Sequence, residues 1–125
     1  FLSVKADLGI RTRAAYLSGD KKAAKALCTD YDAALERLDA FYAAYEQQWM
    51  RENKPQGFDV VDLRIGGQRQ RLLHCRDRLL AYAEGRLDRI EELEEPVLDC
   101  CCEEKADGQA TRAIFWHEIA SANVI

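Results

Sequence analysis

Residues 53–67 read NKPQGFDVVDLRIGG and lie between two long segments of helical periodicity. Pro55 lacks a backbone N–H and disfavours helical geometry in the residue before it, so the preceding helix should end at about Asn53. Gly57 then allows the tight turn that connects the two segments. Because such a short loop joins two long helices, the stretch predicts an antiparallel helical hairpin.

The segment before the turn has the clearest helical pattern in the chain. Its large apolar residues are separated by 4, 3, 4, 3 and 4 positions, which places them on one helix face. They are Tyr31, Leu35, Leu38, Tyr42, Tyr45 and Trp49. With Thr29 or Asp30 as its N-cap, the pattern predicts a helix to about Asn53 that packs along a partner helix.

The segment after the turn predicts a second long helix, which begins at Phe58 or Asp59 and ends at about Glu84, before Gly85 as a helix stop. Its predicted buried face consists of Val61, Ile65, Leu72, Cys75, Leu79 and Tyr82. The two apolar faces would meet in the hairpin and form the centre of the core.

Two adjacent glycines, Gly66 and Gly67, fall inside this second helix. Each costs roughly 1 kcal/mol there relative to alanine, because glycine loses the most backbone freedom on folding. A close helix crossing, a kink, or backbone exposed to a partner would compensate for that cost.

Shorter helices are predicted on either side of the hairpin. At the start of the chain, apolar residues stand at helical spacing: Leu2, Ala6, Ile10, Ala14 and Leu17. Gly19 is a helix stop, and Asp20 is an N-cap for a short helix over residues 21–28. Residues 90–98 predict a short helix or turn, and residues 111–119 predict a last short helix.

Strand-like alternation is absent from the sequence. The prediction is therefore an all-α fold, a helical bundle built on a long antiparallel helical hairpin with shorter flanking helices, in one domain over residues 1–125. Because the chain does not begin with methionine, we expect it to be a fragment of a longer protein.

The composition is that of an ordinary globular domain. Hydrophobic residues make up 48% of the chain and charged residues 32%, which argues against disorder. The net charge of −4 gives no indication of a nucleic-acid or membrane partner, and no apolar run approaches the roughly 20 residues of a membrane span. Five cysteines, an odd number, and the lack of a signal peptide predict reduced thiols and a cytoplasmic location.

No constellation of residues predicts an active site, a metal site or a cofactor. The consecutive Cys100, Cys101 and Cys102 lack the spacing that lets cysteines converge on zinc, and His74 and His117 show no paired spacing. The Glu-x-x-His pairs of di-metal helical bundles are also absent. A single thiol of low pKa stays open as an alternative.

Aromatic and charged residues around the turn are candidates for contact with a partner. Trp49 lies at a helix end beside Arg51 and Asn53, where it either completes the core or meets a neighbouring domain or subunit. Asp59 and Asp62 stand at the start of a helix. There they either complement the helix dipole and cap N–H groups, or hold a partner through charge-assisted hydrogen bonds.

Arginines recur along the second helix and flank its apolar face. They form two stripes, Arg64 with Arg71 and Arg78, and Arg69 with Arg76. Their side chains either cover the edges of the core or bind an anionic partner, such as the acidic segment at residues 88–104 of the same chain.

The hairpin carries a resemblance to a known family. Residues 48–55, which read QWMRENKP, are followed by GFDV at 57–60 and DLRIGG at 62–67. Together they resemble the C-terminal helical domain of bacterial glycoside hydrolase family 20 enzymes, which are exo-acting β-N-acetylhexosaminidases. The likeness extends to KADLGIR at 5–11, IEELEE at 90–95 and NVI at 123–125, and so covers most of the chain.

The resemblance implies a parent protein in which a (β/α)8 barrel precedes this domain. An Asp-Glu pair in that barrel would use the acetamido group of the substrate as the nucleophile, the substrate-assisted exception among glycosidases. Residues 1–125 match no part of that pair or its surroundings. The helical domain would support the catalytic barrel of the same chain and help to form a homodimer.

The hairpin tip is the part that the resemblance implies should touch the barrel or the other subunit. Its candidate residues are Trp49, Arg51, Asn53, Phe58, Asp59, Asp62, Arg64, Gly66 and Gly67. The alternative is a free-standing helical protein-interaction module that binds a helix or an acidic partner through its arginine edges. A third hypothesis is a bundle enzyme with a thiol or metal site.

Overall fold

The computed structural model describes residues 1–95, which fold into helices without a strand in this part of the chain. In chain order these are α1 (Leu2–Lys5), α2 (Leu8–Leu17), α3 (Lys21–Glu52), α4 (Phe58–Ala83) and α5 (Glu91–Glu94). The predicted all-α fold is confirmed. The predicted helix over residues 111–119 and the run of cysteines at 100–102 lie outside the described residues.

Helices α3 and α4 form the predicted hairpin, and their pairing is the most extensive between elements of residues 1–95. At the turn, the backbone N–H of Asn53 donates to the Trp49 carbonyl at 2.8 Å and closes α3. Gly57 precedes α4 with a φ of 93°, a left-handed conformation that a side chain makes costly. Proline and glycine therefore divide the turn between them, one ending α3 and the other starting α4.

The predicted boundary between two helices at Thr29 and Asp30 is wrong, because α3 is continuous from Lys21 to Glu52. Neither residue breaks a helix, and their weak propensities are overridden by tertiary packing. The buried side chains of α3 run without interruption through this region: Ala24, Leu27, Cys28, Tyr31, Ala34, Leu35 and Leu38. The predicted start is correct, since the Asp20 carboxylate accepts a hydrogen bond from the Ala23 N–H at 2.8 Å.

The first predicted helix is two helices, α1 and α2, separated by a turn at Ala6 and Asp7. The residues that α2 buries are Leu8, Thr12, Ala15 and Tyr16. The apolar residues whose spacing predicted this helix are not buried. Among them, Leu2, Ile10 and Leu17 are exposed by 71%, 75% and 63%. The outward face of the first two helices is therefore apolar, as well as the inward one.

The core occupies only one half of the hairpin. Leu8 of α2, Leu38 of α3 and Leu79 of α4 are the largest fully buried side chains among residues 1–95. Residues 39–71 include the turn, and Phe58 is the one buried residue among them. We call residues 39–71 the distal hairpin, which consists of two helices with little cover.

The short helix α5 returns to the bundle after α4. Gly85, with a φ of 75°, follows the end of α4, and Ile90 of the connection is 4% exposed in the core. Arg71 and Arg78 of α4 form ion pairs with Glu92 and Glu91, at 2.6 and 2.9 Å. The acidic segment is thus the partner of part of the arginine stripe, as one of the sequence alternatives predicted.

Candidate functional site

An aromatic cluster stabilises the hairpin tip. The ring of buried Phe58 has its centroid 5.9 Å from that of Tyr42, 6.3 Å from that of Tyr45 and 5.8 Å from that of Trp49. The Trp49 indole N–H donates to the Lys54 carbonyl at 2.9 Å. Trp49 and Phe58 therefore hold the turn together, and only the exposed part of the half-buried Trp49 ring is open to a partner.

The two carboxylates at the start of α4 have different surroundings. Asp59 is exposed in the first turn, where its charge complements the helix dipole. Asp62 accepts a hydrogen bond from the Tyr42 hydroxyl at 2.7 Å. This hydrogen bond raises the pKa of Tyr42, because the phenol donates to a carboxylate. Asp62 thus joins α4 to α3, a role that neither sequence alternative included.

The second arginine stripe is engaged within the hairpin. Arg69 donates to Asp39 at 2.8 Å, and Arg76 donates to Asp32 at 2.6 Å. The hydrogen bond to Asp39 raises the pKa of Arg69 further above the physiological range. Arg51, Asn53 and Arg64 are exposed around the distal hairpin. The arginine edges of the helix therefore serve mainly to link α4 with α3 and α5.

Gly66 and Gly67 lie on the surface of α4. A Cβ atom added at either glycine would meet no other side chain or neighbouring backbone within 4 Å, so no helix of residues 1–95 crosses closely at this point. Leu63, one turn earlier on the same side, is exposed by 38%. Of the three explanations for the glycines, a close helix crossing within residues 1–95 is not what the structure shows, and the backbone at both positions is exposed. We call Leu63, Gly66 and Gly67 the distal α4 face.

A second exposed surface lies on the first two helices. Leu2, Ile10 and Leu17 are the three most exposed large apolar side chains of residues 1–95. Ala6 and Ala14 are exposed as well, and the spacing of Ile10, Ala14 and Leu17 places them on one side of α2. We call these five residues the α1–α2 outer face. The sequence contained the signal, since α2 carries apolar residues on opposite sides.

A cavity of about 180 Å³ lies between α2, α3, α4 and α5. Thr12 and Tyr31 share a hydrogen bond of 3.0 Å between their hydroxyls at its wall. Cys75 also lines the cavity, and burial raises the pKa of its thiol, as burial does for Cys28. A raised pKa keeps these two thiols protonated and poorly nucleophilic, which is the opposite of a catalytic cysteine.

Residues 1–95 contain neither a metal-binding cluster nor a membrane-spanning helix. No group of three histidine, cysteine, aspartate or glutamate side chains in this range is placed to hold a metal ion. None of the helices in the described part of the chain is long and apolar enough to span a bilayer.

The fold and its surfaces define an all-α domain whose exposed apolar faces are suited to contact with another protein surface. A profile of the Glycoside Hydrolase 20C C-terminal domain matches residues 1–112 of the 125 in the chain. The chain therefore belongs to this family of glycoside hydrolase C-terminal domains, and the family predicted from the hairpin sequence is confirmed. None of the curated proteins matches it. As such a C-terminal domain, it associates with the catalytic domain of the same chain.

Proposed function

We propose that this domain is the non-catalytic support of a family 20 exo-β-N-acetylhexosaminidase. It packs against the (β/α)8 catalytic barrel of its own chain and stabilises it. The parent protein removes terminal N-acetylhexosamine residues by substrate-assisted hydrolysis, with the catalytic Asp-Glu pair in the barrel. The observation that carries this proposal is the family match over residues 1–112.

The contacts of the described residues support a structural role. The guanidinium groups of Arg69, Arg71 and Arg76 are all engaged with carboxylates of α3 or α5. Arginines committed in this way stiffen the bundle rather than present a free basic edge to an acidic partner. The exposed apolar faces instead favour a partner with an apolar surface.

The hairpin tip forms a further part of the proposed contact, with the barrel or with a second subunit of a homodimer. The distal α4 face supports this role, because two adjacent glycines let another surface approach the helix backbone closely. Asp59, Arg51, Asn53 and Arg64 would supply the polar rim around it. The parent enzyme is proposed to be bacterial and cytoplasmic, in keeping with the free thiols of Cys28 and Cys75.

Removing this domain from the parent chain tests the supporting role. The melting temperature of the barrel should fall by roughly 5–10 °C, because an apolar surface loses its cover. The measurement is thermal unfolding of the parent with and without residues 1–125, together with hydrolysis of a chromogenic β-N-acetylglucosaminide. An unchanged barrel would favour the free-standing interaction module. A stabilised barrel without hydrolysis of the glucosaminide would retain the support and overturn the hexosaminidase assignment.

Gly67→Leu should stabilise the helix and weaken the assembly at the same time. Helix propensity favours leucine over glycine by roughly 0.5–1 kcal/mol, and a Cβ at this position has no neighbour within 4 Å among residues 1–95 outside the backbone of its own helix. At a close contact with the barrel or a second subunit, overpacking should cost about 1–3 kcal/mol, or roughly 5- to 150-fold in affinity. Circular dichroism would measure helicity. Light scattering would measure the oligomeric mass, and thermal unfolding of the barrel would measure its contact with this domain.

Gln47→Leu is the matched control for this change, since it adds the same side chain at an exposed position of α3. It should leave both the oligomeric mass and the stability of the barrel unchanged. If Gly67→Leu lowered helicity while the assembly stayed intact, the interface at the distal α4 face would be rejected.

A further inference from the structure

The most exposed apolar side chains of residues 1–95 are gathered on α1 and α2. Leu2, Ile10 and Leu17 are exposed by 71%, 75% and 63%, although α2 already buries Leu8 and Tyr16 against the bundle. A helix that is apolar on opposite sides is typical of a buried helix with neighbours on both sides. Within residues 1–95 the outward side has no such neighbour.

The charged residues beside this face are already engaged. Arg11 pairs with Asp30 of α3, and Arg13 donates to the carbonyl of Glu95. The side chains of the α1–α2 outer face are apolar, and Ile10, Ala14 and Leu17 follow one another along one side of α2. Its chemistry is therefore that of a stable, mostly apolar contact, like a domain core cut in half, rather than that of a surface for a charged ligand.

We propose that the α1–α2 outer face is the surface on which the catalytic domain of the same chain docks. This inference rests on the proposed supporting function, and it adds a contact surface to the hairpin tip. In a C-terminal domain the catalytic domain comes earlier in the sequence, and α1 and α2 precede the hairpin. These helices are thus the nearest to the catalytic domain along the chain.

The covalent connection favours the catalytic domain over a second copy of this domain as the partner at this face. A tethered domain has a high effective concentration near the helices that follow the connection, so that a modest apolar face is enough to hold it. A second copy has no such advantage and must pay the full entropy of association.

Thiol accessibility in the full-length parent enzyme tests this docking. Ala14→Cys places a small thiol in the middle of the α1–α2 outer face with little change in volume. Ala44→Cys is the matched control, because Ala44 is an exposed alanine on α3. Both variants would be labelled with N-ethylmaleimide under native conditions, and peptide mass spectrometry would give the rate at each site separately from the native cysteines.

The thiol of Ala14→Cys should react at least about tenfold more slowly than that of Ala44→Cys, since it reacts only when the domains open locally. Adding Leu17→Glu to Ala14→Cys should bring its rate up to that of the control, because a charge in the apolar contact releases the catalytic domain. Equal rates for the two single variants would overturn the proposal.

The same measurement would reveal two other partners that could cover the α1–α2 outer face, and either would overturn the proposal. Protection that disappears on dilution, along with a falling oligomeric mass, would identify a second copy. Protection that disappears when residues 96–125 are deleted, with the Ala44→Cys rate unchanged, would identify that part of the chain. If removal of the whole domain still lowers the melting temperature of the barrel while Ala14→Cys reacts rapidly, the supporting function stands and only this face is rejected.

Discussion

Leu79→Ala should lower the free energy of unfolding of this domain by about 3–5 kcal/mol. Leu79 is 0% exposed in α4 and belongs to the core cluster that α2, α3 and α4 share. Alanine would remove the Cγ and both Cδ atoms of leucine and leave a cavity. The long helices of the hairpin are too stiff to close it. Chemical denaturation of the chain, followed by circular dichroism, would measure the loss.

Leu63→Ala is the control for this prediction, because it makes the same change on the same helix at an exposed position. Its effect on the free energy of unfolding should stay within about 0.5 kcal/mol. Similar losses for the two variants, or a small loss for Leu79→Ala, would contradict a core centred between the hairpin and α2.

The hairpin could be predicted because the relevant signals are local. Pro55 and Gly57 act on their own backbone, and the spacing from Tyr31 to Trp49 defines a helix face without knowledge of the rest of the fold. The false boundary at Thr29 has the opposite origin. A potential N-cap residue starts a new helix only where the chain before it leaves the helical path, and in α3 the buried face continues through that position.

The orientation of α2 could not be predicted for a physical reason. Leu8 and Tyr16 lie on one side, and Ile10 and Leu17 lie on the other, so hydrophobicity alone does not decide which side meets the bundle. The buried side makes polar contacts with other elements, among them the hydrogen bond of the Tyr16 hydroxyl to Glu94 of α5. That contact joins positions far apart in sequence, and periodicity carries no information about it.

The same limit applies to the candidate site. The hydrogen bond between Tyr42 and Asp62 depends on the relative register of α3 and α4, which the sequence pattern leaves open. The exposure of Gly66 and Gly67 is likewise a property of the packed hairpin. The contact residues predicted from the sequence include Asp62, Gly66 and Gly67. Only the packed hairpin places Asp62 in a hydrogen bond with α3 and the two glycines on the surface of α4.

Tyr16 is the residue that attaches α5 to the bundle. Its hydroxyl donates to Glu94 Oε1 at 2.5 Å and accepts a hydrogen bond from the buried N–H of Ile90 at 3.0 Å. Its ring packs on Tyr82 with the centroids 4.9 Å apart. The hydrogen bond from Tyr16 lowers the pKa of Glu94, and Arg89 lowers it further. A carboxylate with a lowered pKa stabilises the fold above its ordinary pKa, and this contribution is lost as the pH falls through the lowered value.

Tyr16→Phe should therefore release α5 and lower the free energy of unfolding by about 1–3 kcal/mol, since the buried N–H of Ile90 loses its acceptor. Amide exchange of Ile90 would speed up at neutral pH, while exchange at Leu38 in the middle of α3 would change much less. Tyr42→Phe is the matched control, because its hydroxyl bonds to an exposed carboxylate and no buried donor of residues 1–95 depends on it. If the two variants had equal effects, or if Ile90 stayed protected in Tyr16→Phe, then the ion pairs of α5 with Arg71 and Arg78 would be sufficient to hold it in place.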